Sequence, residues 1–465
     1  MTLFPYLLSV PMPITPFLEF PKAAHYWLCN AQVPRSLLAD SDEWPSIARF
    51  QSVPDSPELA SVSLEVNEGR VVSVRSPDAD LEVAVPVVNA NSSLVWPCFV
   101  DMHTHLDKGH IWPRSPNPNG TFEQALETVQ SDSEQRWSAE DVYQRAEFGL
   151  NCSYAHGTQA VRTHIDAFDE QGEVSFEVFR QLRQKWVDRI QLQAVCLVSL
   201  DYFLTPKGEK LADLMAAYGG VLGGVCFMND EIVQQIDRTF ELAIERGLDL
   251  DFHTDESLDP NDVTLRLVAE AAIRHRFTGR ITCGHCCSLS VQSEAEVKQT
   301  IDAVKTAGIS IVSLPMCNLY LQDRQLAQKK QRTPRYRGVT ILRELKAAGV
   351  KCAIASDNCR DPFHAYGDHD GLEVFTQSVK IGQLDHPIED WPRAITQTPA
   401  EMMGLENIGK IFEGGSADFV VFKARSFNEL MARGQGDRVV IRKGKQIDTT
   451  LPDYAELDTL MNVVS

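Results

Sequence analysis

The sequence has 465 residues, enough for one barrel domain of roughly 250 residues together with a second domain. Its content of 43% hydrophobic and 23% charged residues is typical of a folded globular protein with a sizeable core. The formal net charge of −20 disfavours nonspecific binding to nucleic acids and to anionic membranes.

The cysteines and the N-terminal segment indicate the cellular compartment of the protein. Eleven cysteines are scattered along the chain, several of them in apolar stretches, which favours a reducing compartment over a disulfide framework. Residues 1–20 contain four prolines, no basic start and no small-residue cleavage site, so they make a poor signal peptide. No apolar run approaches the roughly 20 uncharged residues that span a bilayer. We therefore expect a cytoplasmic protein.

Residues 1–57 are rich in proline, and we expect this N-terminal segment to be irregular. The pattern then changes, because residues 61–77 alternate apolar and polar side chains around Asn67-Glu68-Gly69. Such alternation around a turn predicts a β-hairpin. The stretch LVWPCFVDMHTH that follows (94–105) reads as a buried strand running into a pair of histidines.

Strands and helices then alternate along the chain. The candidate strands are 95–102, 159–166, 191–199, 221–228, 248–254, 280–285, 309–315 and 350–356. Helical patterns such as 231–246 and 339–348 lie between most of them. Eight strand–helix repeats predict an α/β fold, a (β/α)8 TIM-type barrel with parallel strands.

The C-terminal part returns to β character in GGSADFVVF (414–422) and DRVVIRKGKQI (437–447). We expect these strands to join the early hairpin. The predicted architecture is therefore a barrel at 97–404 and a small β-sandwich domain formed from both chain ends, 58–96 and 405–450.

Histidines at strand ends are the strongest chemical signal. His103 and His105 end the first strand, and alternation directs both imidazoles to one face at the C-terminal mouth of the barrel, where barrel enzymes build their sites. His253, His285 and Asp357 each follow another apolar strand. Strand ends collect polar residues in any protein, which would explain one or two of these positions. Five of them on strands 1, 5, 6 and 8 indicate a shared site.

These side chains suit a divalent metal. Neutral imidazoles and one carboxylate are ligands that Zn or Fe(II) accepts, and three or four protein ligands leave a position for water, whose pKa the metal lowers. Asp357 could accept the proton of that water. Glu256, three residues after His253, is placed to carry a proton to a substrate nitrogen and to the departing amine. The structural alternative for Glu256 is a carboxylate at the start of a helix.

Several segments carry a family resemblance. They are FVDMHTHLDKG, AVRTHID, DFHTDES, CGHCCSLS, ASDNCRDPF and GGSADFVVF. In this order they resemble the amidohydrolase superfamily, more narrowly its cytosine deaminase branch, over about residues 60–447. The resemblance implies one divalent metal per chain, Zn or Fe(II), with His103, His105, His253 and Asp357 as ligands. It also implies His285 beside the substrate and Glu256 as the proton shuttle.

The chain departs from that branch in its substrate-reading positions. The branch has a glutamine in a Phe-Pro-Gln turn after the third strand, whereas this chain reads LVSLDYF, with Ser199 or Asp201 nearest. Phe363 replaces a tryptophan, Asn358 replaces a second aspartate, and Lys108 adds a cation. We therefore predict Lys108, Ser199, Asn358 and Phe363 as substrate-binding residues.

Two further residues match the branch without a direct catalytic assignment. His164 and Asp166 in VRTHID are expected to orient a metal ligand or to shape the pocket from behind. For His164, a satisfied histidine of the core is an equal alternative. The inner strands QAVRTHID and QLQAVCLVS contain no lysine that could bridge two metals, which favours a single-metal site.

These observations predict a metal-dependent aminohydrolase that deaminates a cytosine-like or related N-heterocycle through attack of a metal-bound hydroxide on a ring carbon. The alternative is hydrolysis of a cyclic amide or another C–N bond on the same single-metal site. A noncatalytic metal-binding barrel is a third reading, against which the proton-transfer residues Glu256 and Asp357 argue. The expected partner is a small-molecule substrate, with neither nucleic acid nor membrane, and the sequence is compatible with a homo-oligomer.

Overall fold

The structure of the chain is a computed structural model that describes residues 17–39, 50, 52–77 and 85–461. The expectation that residues 1–20 are a poor signal peptide therefore falls mostly outside the described residues. Parts of the expected irregular segment 1–57 also lie outside them. Among the described residues, none of the helices combines the length and apolar character needed to cross a bilayer.

The described residues form seventeen strands and fourteen α-helices. The strands are β1 (His25–Pro34), β2 (Ser52–Val53), β3 (Ser56–Asn67), β4 (Arg70–Arg75), β5 (Val87–Asn89), β6 (Leu94–Pro97), β7 (Phe99–Thr104), β8 (Thr158–Asp166), β9 (Gln191–Leu197), β10 (Leu222–Cys226), β11 (Leu250–Thr254), β12 (Ile281–His285), β13 (Ser310–Ser313), β14 (Cys352–Ile354), β15 (Phe419–Phe422), β16 (Val439–Arg442) and β17 (Lys445–Gln446). The helices are α1 (Phe122–Arg136), α2 (Ala139–His156), α3 (Asp169–Trp186), α4 (Pro206–Tyr218), α5 (Ile232–Arg246), α6 (Thr264–His275), α7 (Glu294–Ala307), α8 (Pro315–Leu321), α9 (Arg324–Lys329), α10 (Leu342–Ala347), α11 (Gly371–Gly382), α12 (Gln397–Met402), α13 (Phe427–Ala432) and α14 (Asp458–Met461).

Strands from both ends of the described chain share one nine-stranded sheet. Its order is β17-β16-β15-β6-β1-β3-β2, with β4 added beside β3 and β5 beside β1. β3 and β4 form an antiparallel hairpin at the predicted turn, with Asn67 opposite Arg70. β15 pairs antiparallel with β6, placing Val420 opposite Trp96. The C-terminal strands thus hydrogen-bond directly to the strand that precedes the first histidines.

The main difference from expectation is β1, because residues 25–34 fall in the segment expected to be irregular. Eight of its ten residues are buried, so the strand shows no alternation of apolar and polar side chains. Its register against β3 also shifts between Leu28 and Ala31, which interrupts any regular period. A central strand buried on both faces and broken by a bulge lacks the pattern by which β-strands are recognised.

The eight remaining strands, β7 to β14, are parallel and alternate with helices. They form a three-stranded sheet, β7-β8-β9, and a five-stranded sheet, β10-β11-β12-β13-β14. Isolated bridges join the two sheets on both sides, Val195 to Val221 on one and Thr104 to Asp357 on the other. The prediction of a mixed α/β fold with parallel strands is therefore confirmed.

The first predicted strand, 95–102, is in fact divided between two sheets. β6 ends at Pro97 and pairs with β15, whereas β7 begins at Phe99 and pairs with β8. The division occurs because residues 94–97 complete the nine-stranded sheet and the chain then turns into the parallel one. The seven other predicted strands are found within a few residues of their expected ends.

Candidate active site and metal centre

The ends of the parallel strands bring the four predicted metal ligands together. His103 Nε2 lies 3.2 Å from His253 Nε2 and 3.6 Å from Asp357 Oδ1. His105 Nε2 lies 3.3 Å from the same carboxylate oxygen. All four side chains are buried. The chain therefore gathers residues more than 250 positions apart into one cluster at the C-terminal ends of β7, β11 and β14.

The backbone at these strand ends explains how the side chains meet. The Asp357 N–H donates to the carbonyl of His103 at 2.8 Å, and the Thr104 hydroxyl donates to the carbonyl of Asp357 at 2.8 Å. Asp357 and His285 both adopt left-handed backbone angles, with φ of 62° and 69°. Non-glycine residues adopt this region at a cost, and such residues cluster at functional sites.

The chemistry of this cluster fits a divalent cation. Asp357 is fully buried, yet neither of its carboxylate oxygens accepts an N–H or O–H hydrogen bond from the described residues. Burial raises the pKa of Asp357 to about 7. Burial also holds the pKa of His103, His105 and His253 well below the usual value, which leaves them neutral and able to donate a lone pair. A buried carboxylate without N–H or O–H donors carries a large desolvation cost that a bound cation would offset.

Two compact groups of potential ligand atoms overlap at His103. In each group the atoms lie within 4.8 Å of one another; the groups are His103, His285 and Asp357, and His103, His164 and His253. His105 is linked to the first group by the 3.3 Å contact between its Nε2 and Asp357 Oδ1. The described residues therefore supply more donors than one metal needs.

His164 lies behind the cluster. Its ring is 3.9 Å from the ring of His103, and its Nε2 is 3.4 Å from Asp251 Oδ1. Asp251 in turn accepts a hydrogen bond from Arg162 at 2.8 Å. This buried arrangement packs against the ring of His103.

Glu256 and His285 contact each other beside the cluster. Glu256 Oε1 lies 3.2 Å from His285 Nδ1, and the Asn318 amide donates to the same nitrogen at 3.0 Å. Burial, reinforced by the negative charge of Asp357, raises the pKa of Glu256 well above its usual value. Burial lowers the pKa of His285 to about 3. Burial therefore favours the neutral form of both groups, the carboxylic acid of Glu256 and the uncharged imidazole of His285, whose Nδ1 can accept from Asn318.

A cavity of about 1210 Å³ opens above these groups. His105, His253, Glu256, His285 and Asp357 contribute to its lining, whereas His103 does not. Its aromatic lining residues are Phe122, Phe168, Tyr202, Phe227 and Phe363. The candidate metal ligands thus lie where a small molecule held between aromatic rings would meet them.

The residues predicted to bind substrate all line this cavity, namely Lys108, Ser199, Asn358 and Phe363. Lys108 is not a free cation, because its Nζ donates to Asp166 Oδ1 at 2.7 Å. Burial alone would lower the pKa of Lys108, but the carboxylates of Asp166 and Asp107 outweigh it and raise the pKa. Asp166 also lines the cavity, where it lies beside Lys108.

Asn358 and Phe363 are fixed by a buried turn. The Asn358 amide donates to Asp361 Oδ2 at 2.8 Å, and the Phe363 N–H donates to Asp361 Oδ1 at 2.8 Å. The ring of Phe363 lies 5.6 Å from Lys108 Nζ. One buried carboxylate therefore sets the position of two cavity residues.

Asn318 is the main site residue that the sequence analysis missed. It is fully buried in α8, just after β13, and contacts His285. Nearby, the Gln322 amide donates to the backbone carbonyl of Glu256 at 3.2 Å. The sequence does contain a signal for Asn318, because it is a polar residue within the apolar stretch SLPMCNLYL after a predicted strand.

Comparison with known proteins agrees with these observations. The model of the amidohydrolase family matches residues 197–448. A pterin deaminase of Rhizobium rhizogenes is 47% identical over 446 residues, which cover 96% of this chain and 99% of the relative. Among solved structures, 5-methylcytosine deaminase from Klebsiella pneumoniae is similar with a TM-score of 0.76 at 23% identity, covering 92% of this chain and 98% of that one.

A second solved structure, N-isopropylammelide isopropylaminohydrolase from Burkholderia multivorans, has a TM-score of 0.71 at 21% identity and covers 91% of this chain and 98% of its own. At such identities these two structures show a shared fold. The family match and the relative at 47% identity go further, because they extend over most of the chain. The chain therefore belongs to the amidohydrolase family and is a hydrolase of C–N bonds, as its motifs predicted.

Proposed function

We propose that the protein is a metal-dependent aminohydrolase that removes the exocyclic amine of a pterin-like N-heterocycle and releases ammonia. The observation that carries this proposal is the contact of Glu256 with His285 at 3.2 Å, beside the buried Asp357 and next to the cavity. Binding alone would not require a buried, proton-holding carboxyl group at this point. Deamination requires one, because a ring nitrogen and then a poor leaving group must be protonated.

We assign the metal to His103, His105, His253 and Asp357, with one Zn or Fe(II) per chain. When bound, such an ion supplies Lewis acidity and lowers the pKa of water at its open position. The three imidazoles are neutral and keep a lone pair available, since burial lowers their pKa. His164 supports His103 from behind, which would hold that ring in place.

Glu256 moves the proton in this proposal. Its raised pKa favours the protonated carboxyl group, which can donate to the ring nitrogen as charge builds there. It can then take up the two protons of the attacking water in turn, passing the first to the departing amine and keeping the second, which restores its protonated form. His285 accepts from the Asn318 amide at Nδ1, which leaves its Nε2–H free to donate to an oxygen of the substrate or of the attacking water.

The pterin class is proposed on similarity and on size. The relative at 47% identity is a pterin deaminase. The amino-oxo pyrimidine ring of a pterin presents an isocytosine-like edge, the kind of ring that the sequence analysis predicted, fused to a second ring. The cavity of about 1210 Å³ leaves room for both, since small-molecule sites commonly measure about 300–1,000 Å³. Phe363 and the other aromatic lining residues offer faces on which a flat bicycle can stack.

The wider expectations form part of the same proposal. We propose that β7 to β14 close into a (β/α)8 barrel, which the bridges from Val195 to Val221 and from Thr104 to Asp357 support. We further propose that the nine-stranded sheet folds into a small β-sandwich from residues 58–96 and 405–450, joined by β1. A cytoplasmic location, the absence of nucleic-acid and membrane partners, and a homo-oligomeric state stay predictions.

An ammonia-release screen tests the function directly. The protein, reconstituted with Zn or Fe(II), is assayed with pterin, isocytosine, cytosine, aminated triazines and cyclic ureas, beside a Glu256→Gln control. We expect one ammonia per pterin consumed and little from cytosine. Opening of a cyclic amide without ammonia from any aminated ring would overturn the proposal in favour of cyclic-amide hydrolysis on the same site.

A further inference from the structure

A second cluster of potential metal ligands lies outside the active site. It consists of His110, in the loop after β7, together with Cys359 and His369, in the segment between β14 and α11. Their ligand atoms all lie within 4.8 Å of one another, and all three residues are buried. The two imidazole rings are 5.5 Å apart between centroids. We call these three residues the His2Cys cluster.

The imidazoles of the His2Cys cluster lack the partners that buried polar groups normally have. Both ring nitrogens of His110 and both of His369 are buried without a hydrogen bond to any described residue. Buried polar side chains are usually satisfied, and each exception carries a free-energy cost that needs a compensating interaction. Four unsatisfied nitrogens around one thiol are not the environment of ordinary core histidines.

The backbone also holds the cluster in an uncommon conformation. His110 has a φ of 65° and His369 a φ of 55°, both in the left-handed region. The His110 N–H donates to the carbonyl of Cys359 at 3.0 Å, which fixes the two chain segments against each other. Such strain persists where the surroundings hold it, and it is common at ligand sites.

We propose that His110, Cys359 and His369 bind a Zn²⁺ ion that is separate from the catalytic metal. Two imidazoles and one thiolate are a donor set that zinc favours, with a fourth position left for water. On binding, the Cys359 S–H bond breaks, a Zn–S bond forms and the proton passes to solvent. No electron is transferred. The neighbouring Asp368 carboxylate, held by His156 at 2.9 Å and Tyr454 at 2.8 Å, offsets part of the charge.

The proposed zinc would join the two loops that carry catalytic groups. His110 follows His105 and Lys108 in one loop, and Cys359 follows Asp357 and Asn358 in the other. A further backbone hydrogen bond, from Trp112 N–H to the Arg360 carbonyl at 2.8 Å, already links these loops. A metal at the His2Cys cluster would hold these two loops together without sharing a ligand with the catalytic metal.

Cobalt substitution distinguishes the two sites. The residues assigned to the catalytic metal offer only nitrogen and oxygen, whereas the His2Cys cluster offers sulfur. The full-length protein is therefore reconstituted with Co²⁺, and its near-ultraviolet spectrum is recorded for a thiolate-to-cobalt charge-transfer band. Elemental analysis of the zinc-loaded protein counts metal ions per chain. We expect the band and two metal equivalents.

Cys359→Ser should abolish the band and reduce the count to one equivalent. Cys352→Ser is the matched control, because among the described residues this buried thiol on β14 donates only to the Val350 carbonyl, at 3.5 Å, and the change should leave band and count unchanged. Wild-type protein that takes up one equivalent and shows no band overturns the proposal, whether or not the variants fold. A band that survives in Cys359→Ser also overturns it. Neither outcome depends on deaminase activity, so failure of the proposed function would be seen separately.

Discussion

Two residues of the candidate site contact His285 Nδ1, Glu256 at 3.2 Å and Asn318 at 3.0 Å. A neutral imidazole accepts at only one nitrogen, so these two contacts determine which nitrogen keeps the proton. With Nδ1 as the acceptor, Nε2 carries the hydrogen and faces no described partner. In the proposed mechanism the two neighbours of His285 have separable roles, Glu256 in proton transfer and Asn318 in orientation.

Glu256→Gln separates catalysis from binding. Glutamine keeps the shape of the side chain but removes the titrating proton, and general acid–base catalysis is commonly worth about 10²–10⁴ in rate. We expect kcat for ammonia release to fall by that factor, with the metal retained and KM little changed. The matched control is Glu134→Gln, which alters an exposed carboxylate of the same cavity. Near wild-type turnover by Glu256→Gln would assign the shuttle to His285 or Asp357.

Asn318→Ala tests orientation of His285. The substitution removes the amide that donates to Nδ1 at 3.0 Å and leaves Glu256 in place. Loss of one hydrogen bond costs about 0.5–1.5 kcal/mol, so kcat should fall by about tenfold or less. We expect an unchanged metal content, and partial rescue in Asn318→Gln if the longer amide reaches the ring. A kcat equal to wild type in Asn318→Ala would show that packing alone orients His285.

The candidate site could be predicted from the sequence where a potential metal ligand directly follows an apolar strand. His103, His105, His253, His285 and Asp357 were found because each polar residue follows an apolar strand in the sequence. Side-chain pairing across loops could not be predicted in this way. The contact between Lys108 and Asp166, which neutralises a cation expected to meet substrate, depends on how two loops pack.

At the scale of elements, the predicted strand–helix alternation held because parallel strands between helices read as short apolar runs. The joining of strands from both chain ends was expected, whereas β1 and the order in which the strands of the nine-stranded sheet pair were not predicted. β1 lacks alternation because it is buried on both faces, and the pairing of β6 with β15 joins residues more than 300 positions apart. Register between such distant segments depends on packing that no local pattern encodes.

Arg145 on α2 shows how an element positions a loop of the candidate site. It is fully buried, donates to the carbonyls of Asp107 and Gly109, and pairs with Asp141 at 2.7 Å. Lysine keeps the charge, but its single ammonium cannot reach all of these acceptors. Arg145→Lys should therefore lose about 1.5–3 kcal/mol of stability, since hydrogen bonds to charged groups are worth that much.

The measurement for Arg145→Lys is hydrogen exchange of the loop after β7, together with the apparent melting temperature. We expect faster exchange over residues 105–110 and a fall of a few degrees in melting temperature. Arg180→Lys is the control, because this half-exposed arginine pairs with Glu177 on the surface of α3, where such pairs contribute little. Equal exchange in wild type and Arg145→Lys would contradict a role for this arginine in holding the loop.

At the scale of the whole molecule, aromatic side chains join the nine-stranded sheet to the parallel strands. Trp96 of β6 is fully buried, and its ring lies 5.1 Å from Phe375 of α11, 6.1 Å from Phe422 of β15 and 6.4 Å from Phe99 of β7. Edge-to-face pairs of this kind add to the free energy of apolar burial. The strands from both ends of the described chain are thus fixed to the half of the molecule that bears the active site.

Trp96→Ala should therefore destabilise the molecule more than any active-site change discussed above. Truncating a buried tryptophan costs about 3–5 kcal/mol, since the lost transfer free energy and the cost of the cavity add.

Trp96→Phe should cost less, because it keeps a ring in contact with Phe375 and removes an indole N–H that has no described partner. The apparent melting temperature should thus rank wild type above Trp96→Phe and Trp96→Ala lowest, with the exposed Val187→Ala unchanged. KM should stay constant in all three variants, since Trp96 does not line the cavity. Equal melting temperatures for Trp96→Ala and wild type would mean that the sheet and the parallel strands are held together by other contacts.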